Sequence, residues 1–256
     1  NKASITNANL TQASKDQQPV TVNLYADIEP AETELKITPG VYFFDQSDFS
    51  AAGGSLDLSI ELAGGDTTPF VGFEFRLGEI ELDYWDGTKR GDDDQKTFSF
   101  LIGVTQVLSP KVVTSLSAQY VHQQGYLSDP VNRLALYNAG GTPILLIDER
   151  LPRRRDRVQV NGRIRYSLAV GWSLGLDASG YADSWSVSNG ALEPSLETRF
   201  FDDIAVVRFW YRVVLQDATK YFRDEPIREY RYQTGDSDLG DFISHGVGVL
   251  ISLKLP

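Results

Sequence analysis

Apolar and polar residues alternate along most of this chain, most clearly between residues 157 and 169. The apolar set there is Val158, Val160, Ile164, Tyr166 and Leu168, and the polar set is Arg157, Gln159, Asn161, Arg163, Arg165 and Ser167. Because successive side chains of a β-strand point to opposite faces, this pattern predicts a strand with one apolar and one polar face. The alternation alone does not say which face is outside.

The same pattern predicts about twelve strands and no helix. The predicted ranges are 20–29, 33–44, 55–63, 70–77, 78–86, 97–108, 111–124, 156–169, 172–186, 190–201, 205–221 and 241–255. No linker divides them. We therefore expect a polar N-terminal segment at residues 1–19 and a single all-β domain at residues 20–256.

The connections between predicted strands come in two sizes. Residues 108–111, 170–172 and 201–204 form tight turns, whereas residues 125–156 and 223–241 form long, charged loops. Counting strands places the three tight turns at one end of the sheet and the two long loops at the other. This asymmetry is typical of bacterial outer-membrane barrels, which have short periplasmic turns and long extracellular loops.

Alternation fits both a soluble β-sandwich and a membrane barrel, and three features favour the barrel. An even number of up-and-down strands closes without an exposed edge. Each apolar stripe suits a strand of roughly 9 to 11 residues crossing a bilayer at a tilt. Aromatic residues gather near strand ends, as interface girdles do, although ordinary core packing also explains them. These aromatic residues are Tyr84, Tyr120, Tyr166, Trp172, Trp185 and Tyr221.

We therefore predict an up-and-down antiparallel transmembrane β-barrel in the bacterial outer membrane, in contact with lipid and with a periplasmic C-terminus. The net charge of −11 argues against a nucleic-acid partner. The absence of cysteine excludes disulfides, thiolate metal sites and attached c-type haem. Residues 1–18 lack a signal-peptide pattern, and a first residue other than Met fits a processed mature chain.

Four groups of residues in the C-terminal two-thirds carry a resemblance to a known family. They are Thr105-Gln-Val-Leu-Ser-Pro110 with Gly125-Tyr-Leu-Ser-Asp-Pro130; Tyr181-Ala-Asp-Ser-Trp185; Tyr211-Arg212 with Gln216, Ala218, Tyr221 and Phe222; and Tyr232 with Ser237-Asp-Leu239 and Phe242. In order and spacing the chain resembles the bacterial domain of unknown function family 3570, regarded as outer-membrane barrels. Val213-Val214 and the terminal Leu253-Lys254-Leu255-Pro256 depart from the expected aromatic residues. The resemblance implies location and fold, and no activity.

If the apolar face meets lipid, the polar face lines a lumen. The predicted lumen-lining residues are Glu79, Glu81, Asp83, Arg163, Arg165, Asp177, Asp183, Glu197, Arg199, Arg208 and Arg212. The N-terminal strands form a mainly acidic wall and the later strands carry most of the arginine, so a transverse field would sort small polar solutes. In the alternative, Arg163, Arg165, Arg208 and Arg212 pair with Asp177, Asp183, Glu193 and Glu197 and fill the lumen.

The loops offer two further candidate sites. Arg153, Arg154 and Arg155 suit contact with anionic lipopolysaccharide, or pairing with Asp148, Glu149 and Asp156. The acidic stretches at residues 92–94 and 236–241 have oxygen ligands but no EF-hand spacing, so we predict solvated charge and no metal site.

No catalytic constellation stands out. His122 and His245 both fall in phase with the apolar face, without a serine and acid at recognisable spacing. We predict a non-enzymatic barrel without a cofactor, for porin-like passage or accommodation of small polar solutes. The first alternative is a structural or scaffold barrel that holds an envelope protein partner. The second is a soluble β-sandwich with a binding site.

Overall fold

The computed structural model of the protein describes residues 20–30, 33–46, 48–83, 88–200 and 204–253. The predicted polar segment at residues 1–19 lies outside the described residues, as does Tyr84. The strands are β1 Val20–Tyr25, β2 Leu35–Gln46, β3 Phe49–Ile60, β4 Thr67–Asp83, β5 Lys89–Ser109, β6 Val112–Gly125, β7 Arg133–Tyr137, β8 Pro143–Asp148, β9 Arg154–Ala169, β10 Trp172–Asp183, β11 Ser188–Phe200, β12 Ala205–Asp217 and β13 Phe242–Leu253.

Eleven of these strands form one antiparallel sheet in chain order. The sheet passes from β6 directly to β9, because β7 and β8 form a separate two-stranded hairpin. Within the described residues no pairing joins β1 to β13, and the sheet is open between them. The up-and-down antiparallel fold is confirmed. Among the described residues, no helix has the length and apolar character needed to span a bilayer.

The connections have the predicted asymmetry. Short connections join β5 to β6, β9 to β10 and β11 to β12, and all three lie at one end of the sheet, the turn end. The long connections at residues 126–153 and 218–241 lie at the opposite end, the loop end.

Two details of the strand prediction are wrong. The predicted strands 70–77 and 78–86 are one continuous strand, β4, so the described sheet has eleven strands rather than twelve. Gly78 resembles a turn residue in sequence, yet it pairs with Ala51 and Gln95 inside the sheet. A Cβ at Gly78 would lie 2.8 Å from the Phe49 ring, so the glycine serves close packing. The hairpin of β7 and β8 lies within a predicted loop.

One apolar face runs across the whole sheet because the register keeps apolar residues opposite one another. Phe75 pairs with Phe98 and Ile164 with Leu176. These side chains are not covered: Ile164, for example, is 46% exposed. A soluble β-sandwich would cover such a face with a second sheet. In the described part of the chain the second sheet is only the hairpin, so the sandwich alternative is wrong.

The predicted aromatic girdle is confirmed only in part. Tyr120, Tyr166 and Trp172 lie on the apolar face near strand ends. Trp185 instead is buried at the loop end, where its ring meets Tyr221 edge to face at a centroid distance of 6.3 Å. These two residues therefore belong to a packed core.

The assignment of the apolar face to lipid is tested by two neighbouring substitutions in β9. Val160→Arg places a charge on the apolar face and should lower the free energy of unfolding in bilayers by about 2 to 4 kcal/mol. Asn161→Arg places it on the polar face and should change that energy by less than about 1 kcal/mol. Urea titration of protein folded into vesicles measures both. A larger loss for Asn161→Arg would reverse the assignment.

Candidate functional site

Four neighbouring strands bring charged side chains into one row on the polar face. Arg163 of β9 pairs in register with Asp177 of β10, which pairs with Glu193 of β11. Glu193 of β11 lies opposite Arg212 of β12, because Leu192 before it pairs with Val213 and Ser195 after it pairs with Trp210. We call Arg163, Asp177, Glu193 and Arg212 the charged row. Because each residue alternates with outward apolar neighbours, the row faces away from the apolar surface.

The two carboxylates of the charged row are held by three arginines. Arg163 Nε donates to Asp177 Oδ1 at 2.6 Å, and Arg165 Nη2 donates to Asp177 Oδ2 at 2.7 Å. Arg208 Nη2 donates to Glu193 Oε1 at 2.9 Å and lies 3.6 Å from Asp177 Oδ2. These contacts agree with the predicted pairing alternative for Arg163, Arg165 and Arg208. Asp183 and Glu197 are not part of this network.

Arg212 differs from the other three arginines. It is exposed and makes no ion pair with any described residue. It pairs in register with Gly246 of β13, where an added Cβ would meet nothing within 4 Å. By contrast, a Cβ at Gly175 would lie 2.8 Å from Arg165 Nη1, so that glycine makes room for a packed guanidinium. Arg212 therefore faces open space.

A polar cavity of about 540 Å³ lies over the charged row. Besides the row and Arg208, its lining includes the uncharged polar side chains of Ser115, Ser117, Gln159, Asn161 and Ser179. Ser117, Asn161 and Ser179 pair across β6, β9 and β10, and we call them the hydroxyl-amide row. With Arg165 included, this region contains four arginines and two carboxylates. We call it the basic wall, and its charged residues are Arg163, Arg165, Arg208, Arg212, Asp177 and Glu193.

A second charged region lies on the same polar face in β3 and β4. Arg76 forms an ion pair with Glu74, and its guanidinium lies 4.5 Å from the Tyr42 ring centroid. Asp57 is exposed and has no ion pair among the described residues. Two carboxylates and one arginine thus form an acidic wall. The polar face therefore has walls of opposite sign, and Asp57, Glu74 and Arg76 lie on the face that the alternation within their strands predicts.

The prediction that Glu79 and Glu81 line the lumen is wrong. Because β4 is one continuous strand, both glutamates lie on the same face as Phe73, Phe75 and Leu77, which is the apolar face. The predicted strand break between residues 77 and 78 had reset the alternation by one residue. The side chain of Asp83 lies outside the described part of the chain, so its placement stays a prediction.

Three other predicted lumen residues lie on the polar face in separate pairs. The Asp183 side chain is fully buried, accepting hydrogen bonds from Arg155 Nε at 2.7 Å and the Tyr181 hydroxyl at 2.9 Å. Arg199 Nη2 lies 3.3 Å from Glu197 Oε1 near the turn end. These residues form local contacts that do not reach the charged row.

The predicted rim arginines are each paired with a carboxylate. Arg153 donates two hydrogen bonds of 2.6 Å to Asp93, and Arg154 Nε donates to Asp156 at 3.1 Å. Arg155 binds Asp183 and lies 4.3 Å from the Trp185 ring centroid. Of the partners named from sequence, only Asp156 is a partner. Lipopolysaccharide contact stays a prediction, and this pairing reduces the charge available for it.

Both histidines lie on the apolar face, in the predicted phase. His122 Nδ1 lies 2.7 Å from Asp156 Oδ1, which also accepts a 2.6 Å hydrogen bond from Tyr120. His245 Nδ1 lies 2.6 Å from the Tyr211 hydroxyl. Within the described residues, no group of three His, Cys, Asp or Glu side chains could hold a metal ion.

The two long loops form a packed unit that the sequence did not predict. We call residues 126–153 and 218–241 the loop cap. The backbones of Arg150 and Gln233 exchange hydrogen bonds of 2.9 and 2.7 Å, and the side chains of Gln233 and Thr234 are fully buried. Leu134 and Ile147 of the hairpin are also buried. A folded unit thus replaces the solvated loops expected at this end.

Glu149 is a buried carboxylate inside the loop cap. It accepts hydrogen bonds from the Thr234 hydroxyl and, at 2.8 Å, from the backbone N–H of Asp129. Burial raises the pKa of Glu149, and burial likewise raises the pKa of Asp129. Because the folded cap holds these protons more tightly than an open loop does, its stability must fall as pH rises through the raised pKa values.

Together, the up-and-down antiparallel sheet, the apolar outer face and the charged inner face define the outer-membrane β-barrel class of protein. The sequence matches the family described as "Protein of unknown function (DUF3570)" over residues 44–256. The chain belongs to this family, so the resemblance stated from sequence is confirmed. No protein with a curated description matches the sequence.

Solved structures are similar to this chain, and the match to CdiB supports the fold. CdiB from Acinetobacter baumannii matches with a TM-score of 0.51 and 12% identity, over 94% of this chain and 44% of its own. This chain therefore spans less than half of that protein. The NanC porin matches with a TM-score of 0.40 and 9% identity, over 93% of this chain and 96% of its own. The siderophore receptor PiuA from Acinetobacter baumannii matches with a TM-score of 0.41 and 9% identity, over 93% of this chain and 44% of its own.

The pH dependence of the loop cap is tested through Glu149→Gln. In the unmodified protein, hydrogen-exchange protection of the Gln233 and Thr234 amides should decrease as the pH rises above the ordinary glutamate pKa of 4.5, because the buried carboxyl must ionise. The substitution removes this ionisation but keeps the side-chain shape, so the decrease should be smaller. Protection factors corrected for intrinsic exchange measure it. Equal pH dependence in both proteins would contradict the assignment to Glu149.

The ion-pair network is tested by Asp177→Asn. This change leaves Arg163 and Arg165 without their shared carboxylate and should lower the free energy of unfolding by about 1 to 3 kcal/mol. The control is Glu197→Gln, which removes an exposed pair with Arg199 and should cost less than about 1 kcal/mol. Urea titration in bilayers compares them. Equal losses would show that Asp177 has no special structural role.

Proposed function

We propose that this protein lies in the bacterial outer membrane and passes small polar solutes through a charge-lined lumen. The location rests on the apolar face, which stays exposed across the sheet and suits lipid. The lumen follows from the opposite face, which carries the basic and acidic walls. In a barrel with its apolar face towards lipid, the charged side chains point into the lumen, where they contact the solutes that enter it.

The observation that carries the proposal is the polar cavity beside Arg212. A fully self-paired lumen would leave no exposed charge, whereas Arg212 is exposed without an ion pair among the described residues. The Arg163 side chain is also 63% exposed although it contacts Asp177. Charges that keep solvent contact can act on a passing solute. The two walls would set up a transverse field that orients it.

A scaffold barrel holding an envelope protein partner is the second candidate. It is favoured by the ion pairs of Asp177 and Glu193, which join the four strands β9 to β12 and occupy part of the polar face. In this case the folded loop cap would present a defined surface to the partner. The two candidates differ in one measurable property, which is ionic current through the folded barrel.

The pore proposal is tested in planar lipid bilayers. The interaction energy between a unit charge and an ion about 8 Å away in water is roughly 0.5 kcal/mol, which changes an equilibrium constant by a factor of about two. Arg163→Gln should therefore lower the anion-to-cation permeability ratio about twofold, and Asp57→Asn should raise it about twofold. Reversal potentials in a salt gradient measure the ratio.

The matched control is Lys96→Gln, because Lys96 is exposed near the loop end on the apolar face, outside the lumen. It should leave the ratio unchanged. Heat-modifiable gel mobility verifies that every variant is folded. Absence of current from folded protein would reject the pore and favour the scaffold, which co-purification of a partner from native membranes would support.

A further inference from the structure

Resting on the proposed pore, we propose that the basic wall is a binding site for a carboxylate-bearing, polyhydroxylated solute such as a sugar acid. The charge count supplies the first step. Arg163, Arg165 and Arg208 engage the carboxylates of Asp177 and Glu193, which leaves Arg212 to bind an incoming anion. A guanidinium binds a carboxylate through two parallel hydrogen bonds, so the preferred anion is planar and bidentate.

The second step comes from the row beside the charged row. The hydroxyl-amide row of Ser117, Asn161 and Ser179 lies two residues further along the strands, towards the loop end. Two residues of a strand span about 7 Å, close to the length of one sugar ring. The Gln159 amide donates to Asn161 Oδ1 at 2.8 Å, which leaves the Asn161 amide N–H groups for a ligand. Hydroxyls and amides both donate and accept, as sugar hydroxyls require.

The cavity itself selects among anions. Its volume of about 540 Å³ is far larger than a bare inorganic ion needs and falls in the usual range for small-molecule sites. No aromatic side chain is among its described lining residues, so it lacks a platform for stacking a nucleobase. The open space beside Gly246 lets a solute reach Arg212. A sugar carrying one carboxylate meets each of these conditions.

The test is calorimetric titration of the full chain in detergent micelles with D-glucuronate as the probe. Glucose and glucosamine are the neutral and cationic matched probes, and acetate carries the carboxylate alone. Glucuronate should bind, and each of the other three should bind at least about tenfold more weakly. Arg212→Gln should raise the Kd for glucuronate about tenfold, because it removes a charged hydrogen-bond donor.

Two further variants separate binding from folding. Arg199→Gln removes an arginine from the polar face outside the cavity and should leave the Kd unchanged. Ser179→Ala should weaken glucuronate binding but not acetate binding. Equal affinity for glucose, equal affinity for acetate, or no effect of Arg212→Gln would overturn the inference.

The titration needs no ionic current, so the two proposals fail separately. Glucuronate binding that depends on Arg212, in a barrel that conducts no ions, would reject the pore and support the site. Ionic current from a barrel that does not bind glucuronate would support the pore and overturn the site.

Discussion

Backbone hydrogen bonding between neighbouring strands is the constraint on which this structure depends. In a bilayer no water satisfies the peptide groups, so each strand must pair with a neighbour. The pairing also fixes which side chains stand opposite one another across the sheet. It places Phe75 beside Phe98 and Ile164 beside Leu176, and the apolar face becomes continuous. The same pairing gathers the charges on the other face.

On the polar face, the register brings charged side chains from several strands together. Arg163, Asp177, Glu193 and Arg212 come from four strands, and only the pairing of these strands puts them in a row. The two carboxylates fall between arginines and are bound by three of them. The fourth, Arg212, remains exposed, and on this excess of positive charge we base the proposed preference of the cavity for anions. The residues of the proposed binding site are thus also part of the ion-pair network that joins the strands.

Much of the fold could be predicted because alternation is a local property. The faces of β9, β10 and β12 follow from period two within each strand, and Arg163, Arg208 and Arg212 were placed correctly on the polar face. The prediction failed where a local signal had a tertiary cause. The prediction ended one strand at residue 77 and began the next at residue 78, whereas the missing side chain of Gly78 accommodates the Phe49 ring within one continuous strand. The resulting phase error moved Glu79 and Glu81 to the wrong face.

The loop cap was missed because its core is made by residues distant in sequence, such as Glu149 and Thr234. The sequence by itself determined that most strands have one apolar and one polar face, since this depends only on the alternation of side chains along a strand. Only the tertiary structure decided which charges meet, which arginine of the charged row makes no ion pair with a described residue, and which loop residues are buried. These depend on register and packing between segments far apart in the chain, and no local pattern records them.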